Sequence, residues 1–322
     1  MKRIFLGVDI GSSTSTALLC DEAGEILSFS EAGPGNHEVV GYDGLQGVLQ
    51  QLTAEVLQSS GIDKANIYAA GFGISGFDWP SERGPTWKAI RSLGLTASIE
   101  FVNDTLLGLI AGTDKGWGIV ILAGSGENCW GRDPHGRIGR MTGLGPIMGE
   151  YGGGSTIVAK AVQAISAEWS QRGPKTSLTR LFLETTGARD IDDLIIGLSM
   201  DHYHVGAETA PKIFQAAEQG DAVAYQIIQW AAEQLANLVL GVVHQLDFQF
   251  REFDIVEMGG VFKAGALLTN RFHAAVLESA QGAHFLSLEV PPVVGAVLLA
   301  AEKTGADQTQ IRKRLIAHWK HP

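Results

Sequence analysis

Apolar and polar positions along the 322-residue chain fall into blocks whose period changes, and each change marks an element. Residues 3–9 (Arg-Ile-Phe-Leu-Gly-Val-Asp) form an apolar run closed by a glycine turn, the pattern of a buried strand. Ser15–Cys20 and Glu25–Ser30 follow as two strands joined by Asp21-Glu22-Ala23-Gly24, a hairpin signal. Helical spacing runs from about Tyr42 to Ser59 and stops before Gly61, and Ile67–Ile74 is the next strand. Residues 81–93 predict a helix, Glu100–Val102 a short strand running into Asn103-Asp104, and Thr105–Ala111 a further helix. The first 114 residues therefore read β-β-β-α-β-α-β-α.

The opening pattern then recurs. Trp117–Ala123 is apolar, Gly124-Ser125-Gly126 turns, Asn128–Arg132 returns, and Asp133-Pro134-His135-Gly136 leads into Arg137–Met141. Helical stretches are expected at roughly 155–170, 177–198 and 208–246, and a strand at Asp254–Met258 ends on Gly259-Gly260 before another helix. Phe285–Leu288 is the last strand, with helices near 293–304 and 307–319. A strand and hairpin with a Gly/Ser turn thus appear twice, which predicts two similar domains facing each other across a cleft.

Composition narrows the chemistry. With 24 basic and 35 acidic side chains the formal net charge is −11, which argues against nucleic acid or an anionic membrane as partner. The apolar runs, Val293–Ala301 among them, fall far short of the roughly 20 residues that span a bilayer. The N-terminal stretch reads as a first strand and not as a signal peptide, so a cytoplasmic protein is expected. Two cysteines, Cys20 and Cys129, with no CxxC, disfavour a disulfide scaffold, a zinc ribbon or a cluster held within one chain. Glycine occurs 41 times, about 13% against the usual ~7%. The glycines gather with Ser and Thr at strand ends, where backbone N–H groups free of a Cβ can cradle phosphate oxygens.

Several phosphate and hydrolase motifs are missing. No Gly-Lys dipeptide occurs, so there is no Walker A loop, and no GxGxxG follows a strand with an acid about 20 residues on. HExxH and GxSxG are also absent.

What is present resembles the actin-like ATPase superfamily of sugar kinases, actin and heat-shock ATPases. Val8–Thr14 resembles its first phosphate loop, Phe101–Asp104 with the following helix its first connecting segment, and Leu122–Asn128 its second phosphate loop. Ile255–Phe262 resembles the adenosine loop and Val293–Glu302 the second connecting helix. The five motifs stand in family order over nearly the whole chain. The resemblance implies an α/β protein of two actin-like (ribonuclease H-like) domains, each a mixed five-stranded sheet flanked by helices, with the nucleotide between them. Residues 1–114 would form the first domain and 115–322 the larger second one, the last helix packing back on the first. Within the superfamily, Gly35-Asn36-His37, Gly124–Cys129, Gly143–Glu150 and Ala210–Asp221 resemble the N-acetylglucosamine kinase family with its BadF/BadG/BcrA/BcrD-type ATPases. That likeness implies ATP-dependent phosphorylation of an amino sugar at its 6-hydroxyl, N-acetylglucosamine foremost. A glucosamine kinase and an ATPase that activates a partner protein are the alternatives. ATP and Mg²⁺ would be used, and dimers are usual in the family.

The resemblance and the chemistry together nominate a site. Asp104, after a strand and at a helix start, would be the general base for the sugar hydroxyl. Asp9 would hold Mg²⁺, for which one carboxylate suffices because the ion keeps most of its waters. Gly11, Ser12, Ser13 and Thr14 would meet the phosphates from one domain, and Gly124, Ser125 and Gly126 from the other. Gly259, Gly260, Lys263 and Ala264 would approach the adenosine, with Ala210 beneath the adenine. Asn36, His37, Ser75, Gly76, Asn103, Asp104 and Asn128 form the expected sugar-contacting set, with Gly143, Gly145 and Glu150 facing them. Glu150 stands where the family usually has Asp, and Glu38 where it often has Trp, an exchange that would tolerate a free amine on the sugar. His202-x-His204 is expected to be a solvated loop, and Arg312, Lys313, Arg314 and Lys320 the solvated face of a helix. Trp79-Pro80 fits a turn anchor as well as a sugar platform.

Overall fold

The first apolar run forms β1 (Ile4–Ile10), buried along almost its whole length because helices cover both faces of its sheet. The computed structural model describes residues 2–320. After β1 come β2 (Ser15–Asp21), β3 (Ile26–Ala32), α1 (His37–Ser60), β4 (Ile67–Ile74), α2 (Arg83–Arg91), β5 (Ser98–Asn103) and α3 (Asp104–Gly112). β1–β3 pair antiparallel, while β4 and β5 add parallel to β1, giving the order β3-β2-β1-β4-β5.

The second unit repeats the scheme with β6 (Gly118–Ala123), β7 (Glu127–Arg132) and β8 (Ile138–Arg140). Five helices follow before the next strand: α4 (Gly154–Trp169), α5 (Ser177–Thr186), α6 (Ile191–Ser199), α7 (Ala210–Glu218) and α8 (Ala222–Leu246). β9 (Phe253–Met258), α9 (Ala266–Leu277), β10 (Ala283–Ser287), α10 (Val293–Ala301) and α11 (Gln308–Lys320) complete the chain. The sheet order is β10-β9-β6-β7-β8, the first sheet's order read from the other edge. The mixed two-sheet α/β fold is the expected one.

Local chemistry explains where the helices differ from the periodicity. The stretch 177–198 breaks in two because Gly187 takes a left-handed cap and Asp190 then caps α6 through the Asp193 N–H. The stretch 208–246 breaks at Gly220, where Asp221 caps α8. α1 begins at His37, capped by Asn36, and kinks at Gly41 before its main length.

Two helices join the units by crossing over. α3 follows the first sheet yet lays Leu106 and Leu109 on Val120, Trp130 and Val256 of the second. α10 follows the second sheet yet lies on β1 and β4 of the first. Small residues make this approach possible: a Cβ at Gly71 of β4 would collide with the Ala296 carbonyl, and one at Gly295 with the Leu107 carbonyl of α3. α11 adds a fastening. Arg312, read from the sequence as solvated, is buried, and its guanidinium donates to the Ile110 and Ala111 carbonyls at the α3 C-terminus, 2.5 Å each. Residues 293–320 therefore pack on the first sheet although they follow the second in the chain.

Gly295→Val should force α10 away from α3 and lower unfolding stability by about 1–3 kcal/mol, the usual overpacking range, in urea titrations followed by circular dichroism.

Candidate active site

In the first sheet β1, β4 and β5 are parallel and end level, with Ile10 opposite Ile74 and Ile74 opposite Asn103. Their following turns therefore meet at one edge, as ligand sites do in α/β sheets. The Ser75 N–H donates to the Ile10 carbonyl (2.9 Å) and the Gly35 N–H to the Gly11 carbonyl (3.0 Å). Ser12 and Ser75 share a hydroxyl hydrogen bond of 3.0 Å, and Asn36 Nδ2 donates to Ser12 Oγ at 3.0 Å. Asn36 Oδ1 also accepts from the Glu38 N–H, capping α1. His37 stacks on Tyr42 at 4.3 Å, and its buried Nδ1 has no protein partner. The expected residues Gly11, Ser12, Asn36, His37, Ser75 and Gly76 are thus brought together.

Asp104 is the first residue of α3, whose N-cap is Asn103 through an Oδ1 bond to the Thr105 N–H (2.9 Å). Desolvation pushes the Asp104 carboxyl up to about 7, and the Asp78 charge adds to this. The Thr105 N–H and the Ser75 hydroxyl pull it part of the way back. Asp9, at the end of β1, is raised well above the carboxylate range by desolvation and then by Asp104. Asp78 accepts from Asn103 Nδ2 at 3.1 Å and is pushed up to about 6 by desolvation, Glu38 and Glu82, with Arg140 opposing.

Across the cleft, the Gly124–Gly126 turn closes on itself, the Gly124 N–H donating to the Gly126 carbonyl at 2.9 Å. The turn sits on the start of α4: Gly154 N–H reaches the Gly124 carbonyl (2.8 Å) and Ser155 N–H the Ser125 carbonyl (2.9 Å). A 16-residue helix pointing its N-terminus at a glycine turn favours an anion there. Gly259 lies so close to the Ala123 carbonyl that a Cβ would collide with it, and Val261 N–H bonds that carbonyl at 3.0 Å. Beside these turns opens a recess of about 360 Å³, lined by Ser125, Ala210, Pro211, Phe214, Gly260 and Ala264. Lys263 is not part of it and lines a separate recess with Glu257 and Met258.

Below the same turn lie two buried acids. Glu150 Oε1 accepts from the Thr142 N–H at 2.7 Å, while its buried Oε2 has no protein partner. Glu127 Oε2 accepts from the Gly153 N–H at 2.7 Å, and burial followed by the Glu150 charge raises its carboxyl. Asn128 Oδ1 accepts from the Cys129 N–H (2.8 Å), and its amide nitrogen lies against Gly143. The unsatisfied Glu150 oxygen and His37 nitrogen suit a ligand rich in hydroxyl groups.

Asp78, Glu127 and Arg140 belong to this surface and were not among the nominated residues. A charged residue wedged between aromatics, Phe77-Asp78-Trp79, was the available signal for the first. His202 and His204 are exposed, as expected, and both cysteines are buried. Among the described residues no group of three or more His, Cys, Asp or Glu is placed to hold a metal ion. A Mg²⁺ held through water beside phosphate needs less, and the desolvated Asp9 carboxyl fits that arrangement. No helix of the described residues is long and apolar enough to cross a membrane.

Comparison with known proteins shows the chain's family and its fold relatives. The model of the BadF/BadG/BcrA/BcrD ATPase family matches residues 6–300. The N-acetyl-D-glucosamine kinase of Dictyostelium discoideum is 28% identical over 314 residues, covering 93% of this chain and 98% of that protein. The N-acetylmuramic acid/N-acetylglucosamine kinase of Clostridium acetobutylicum is 29% identical over 304 residues, covering 92% and 98%. A proposed N-acetylglucosamine kinase of Chromobacterium violaceum shares the fold with a TM-score of 0.70 at 19% identity, over 92% of this chain and 99% of that one. A ROK family glucokinase of Streptomyces griseus, solved with glucose and AMPPNP, shares it with a TM-score of 0.57 at 20% identity, over 93% and 99%.

Asp104 has a folded-state pKa above its unfolded value, so its ionisation costs stability once pH rises past the ordinary carboxylate range. Asp104→Asn should therefore show a higher Tm than the unaltered chain at pH 8, with the difference vanishing near pH 4, in calorimetric scans.

Proposed function

The chain belongs to the BadF/BadG/BcrA/BcrD ATPase family, and from that premise we propose that it is an ATP-dependent amino-sugar kinase, transferring the γ-phosphoryl group of ATP to the 6-hydroxyl of N-acetylglucosamine. The names of the Dictyostelium and Clostridium relatives support the substrate. The carrying observation is Asp104: a carboxyl tuned to about 7, at a helix start, hydrogen-bonded to Ser75 on the edge shared with the Gly11–Thr14 turn. A base acting at neutral pH needs a pKa of that order.

The adenine would lie in the recess against Ala210, Gly260 and Ala264, and the phosphates between Gly11–Thr14 and Gly124–Gly126. Asn36, His37, Asn128 and Glu150 would hold the sugar hydroxyls, with Ser75, Gly76, Asn103, Gly143 and Gly145 shaping the wall. Asp104 accepts the proton of the 6-hydroxyl as that oxygen bonds to the γ-phosphorus and the bond to ADP breaks. The proton then leaves from Asp104 to solvent. Turn N–H groups and the α4 N-terminus bear the charge of the transferred group. Asp9 would hold Mg²⁺ through water, and the ion, when bound, screens the phosphate charge.

Glucosamine is a second substrate to test, favoured by the acidic side chains Glu38 and Asp78 near Asn36 and Asn103. A partner-activating ATPase built on a cluster shared through surface cysteines has less support, since both thiols are buried and burial raises their pKa. The family resemblance alone carries a cytoplasmic homodimer.

ADP release should depend on added sugar, with N-acetylglucosamine the best of a hexose and hexosamine panel, and Asp104→Asn should lower kcat by about 10²–10⁴-fold. Sugar-independent ADP release that the variant leaves untouched would sink this reading. Asp78→Asn removes a negative charge that raises Asp104, so the acid limb of its kcat/KM profile should move to lower pH.

A further inference from the structure

One contact joins the two sides of the cleft at the sugar end. Arg140, at the end of β8, has its guanidinium 4.3 Å from the ring centre of Trp79 in the first unit and 5.1 Å from that of Trp130 in its own. Its Nη1 is buried without a protein partner. Its backbone is held from behind, since Gln245 Oε1 accepts the Arg140 N–H at 2.8 Å and Gln245 Nε2 donates to its carbonyl at 3.0 Å. The opposing side is equally rigid. Glu82 Oε2 accepts the N–H groups of both Asp78 and Trp79 at 2.7 Å, so these two residues move as one. Asp78 Oδ1 in turn takes Asn103 Nδ2 (3.1 Å), and Asn103 Oδ1 takes the Thr105 N–H (2.9 Å) at the start of α3. A continuous series of contacts therefore runs from β8 to Asp104 and crosses between the units at the Trp79–Arg140 stack.

We propose that Arg140 is a positioning residue which, through Trp79, Asp78 and Asn103, ties the placement of Asp104 to the closed spacing of the two units. The proposal rests on the kinase reading above. When the units part, the stack opens and Asp78 loses the opposing cation; Asn103 keeps its bonds to Asp78 Oδ1 and to the Phe77 carbonyl (3.4 Å), but the 77–79 segment that carries both acceptors loses its anchor across the cleft. The base is then set for transfer only with the cleft shut around sugar, which restrains its use on water. A planar guanidinium can stack on an indole face, whereas an ammonium does not, so Lys at position 140 would lose the stacking.

The test compares the full-length chain with Arg140→Met, Arg140→Lys, Trp79→Leu and Trp79→Phe, using ATP and N-acetylglucosamine. Arg140→Met and Trp79→Leu should lower the transfer kcat by about tenfold, the scale of a small misplacement of a reacting group. Their KM for ATP should stay near that of the unaltered chain, because the adenine recess is not touched. Sugar-independent ADP release relative to transfer should rise several-fold in both. Trp79→Phe keeps an aromatic face and should recover most of the kcat, and Arg140→Lys should recover little. Equal kcat in the unaltered chain, Arg140→Met and Trp79→Leu overturns the proposal, as does a fall in kcat with an unchanged ratio of hydrolysis to transfer. A general loss of fold is separated by the Tm of each variant: Trp79→Phe with native Tm and kcat as low as Trp79→Leu counts against the stack. Absence of sugar-dependent turnover in the unaltered chain removes the kinase reading itself, a result distinct from turnover that every variant retains.

Discussion

The structure depends on the backbone-to-backbone packing of its two crossing helices. α10 lies on β4 so closely that Gly71 has no room for a side chain, and it meets α3 with the same intimacy at Gly295. Each helix comes from one sheet and packs on the other, so their contact sets how the two sheet edges face. The cleft is the space left between them. Because α3 begins with Asp104, any shift of this packing also shifts the candidate base. Arg312 strengthens the same element at its far end by satisfying carbonyls that would otherwise be orphaned inside the protein. A buried guanidinium is costly unless its donors are used, and here two of them are.

The cleft carries a second cost, in charge. Asp9, Asp78 and Asp104 are all raised chiefly by burial, with the Asp104 charge adding at Asp9, the Asp78 charge at Asp104, and Glu38 and Glu82 at Asp78. Such a cluster weakens the fold at neutral pH, and the rigid sheet ends and caps around it keep it from relaxing outward. The reading of a kinase makes sense of the cost, since a cation and sugar hydroxyl donors would supply what the acids lack. An empty cleft of this kind is less stable than a filled one, so ligands that enter it also stabilise the protein.

The strands, the repeated hairpins and the glycine turns were legible because each has a local signature: apolar runs, Asx-Gly punctuation and a rise in glycine at strand ends. The break at Gly187 was hidden by the even apolar spacing around it, and only the left-handed cap reveals it. Arg312 shows the limit of periodicity. Its neighbours Lys313 and Arg314 are exposed while it is buried, because α11 turns that one position toward α3. In the site, Asp104 and the turns could be nominated from motif order, and the structure brings Ser12, Asn36 and Ser75 into one hydrogen-bonded group. Lys263 stands apart from the recess formed by its neighbours Gly260 and Ala264. Asp78 carried only the faint mark of a charge between two aromatics and Arg140 none, as their relation spans 62 positions and exists only once both units are folded against each other.

The repeated sheet order also explains why neither half would serve alone. Both units present the same hairpin and the same crossing helix, yet they differ in what lies between the third and fourth strands. The first inserts one helix there and keeps a shallow edge, on which Asp9, Ser75 and Asp104 stand. The second inserts α4–α8, and Gly154 of α4 with Ala210, Pro211 and Phe214 of α7 wall the recess of about 360 Å³ at its edge. On the proposed reading the base stands on one unit and the nucleotide recess on the other, so the two edges have to be held at one spacing. That spacing is held by the packing of α3 and α10 on one side of the cleft, and the Trp79–Arg140 contact bridges the units on the other.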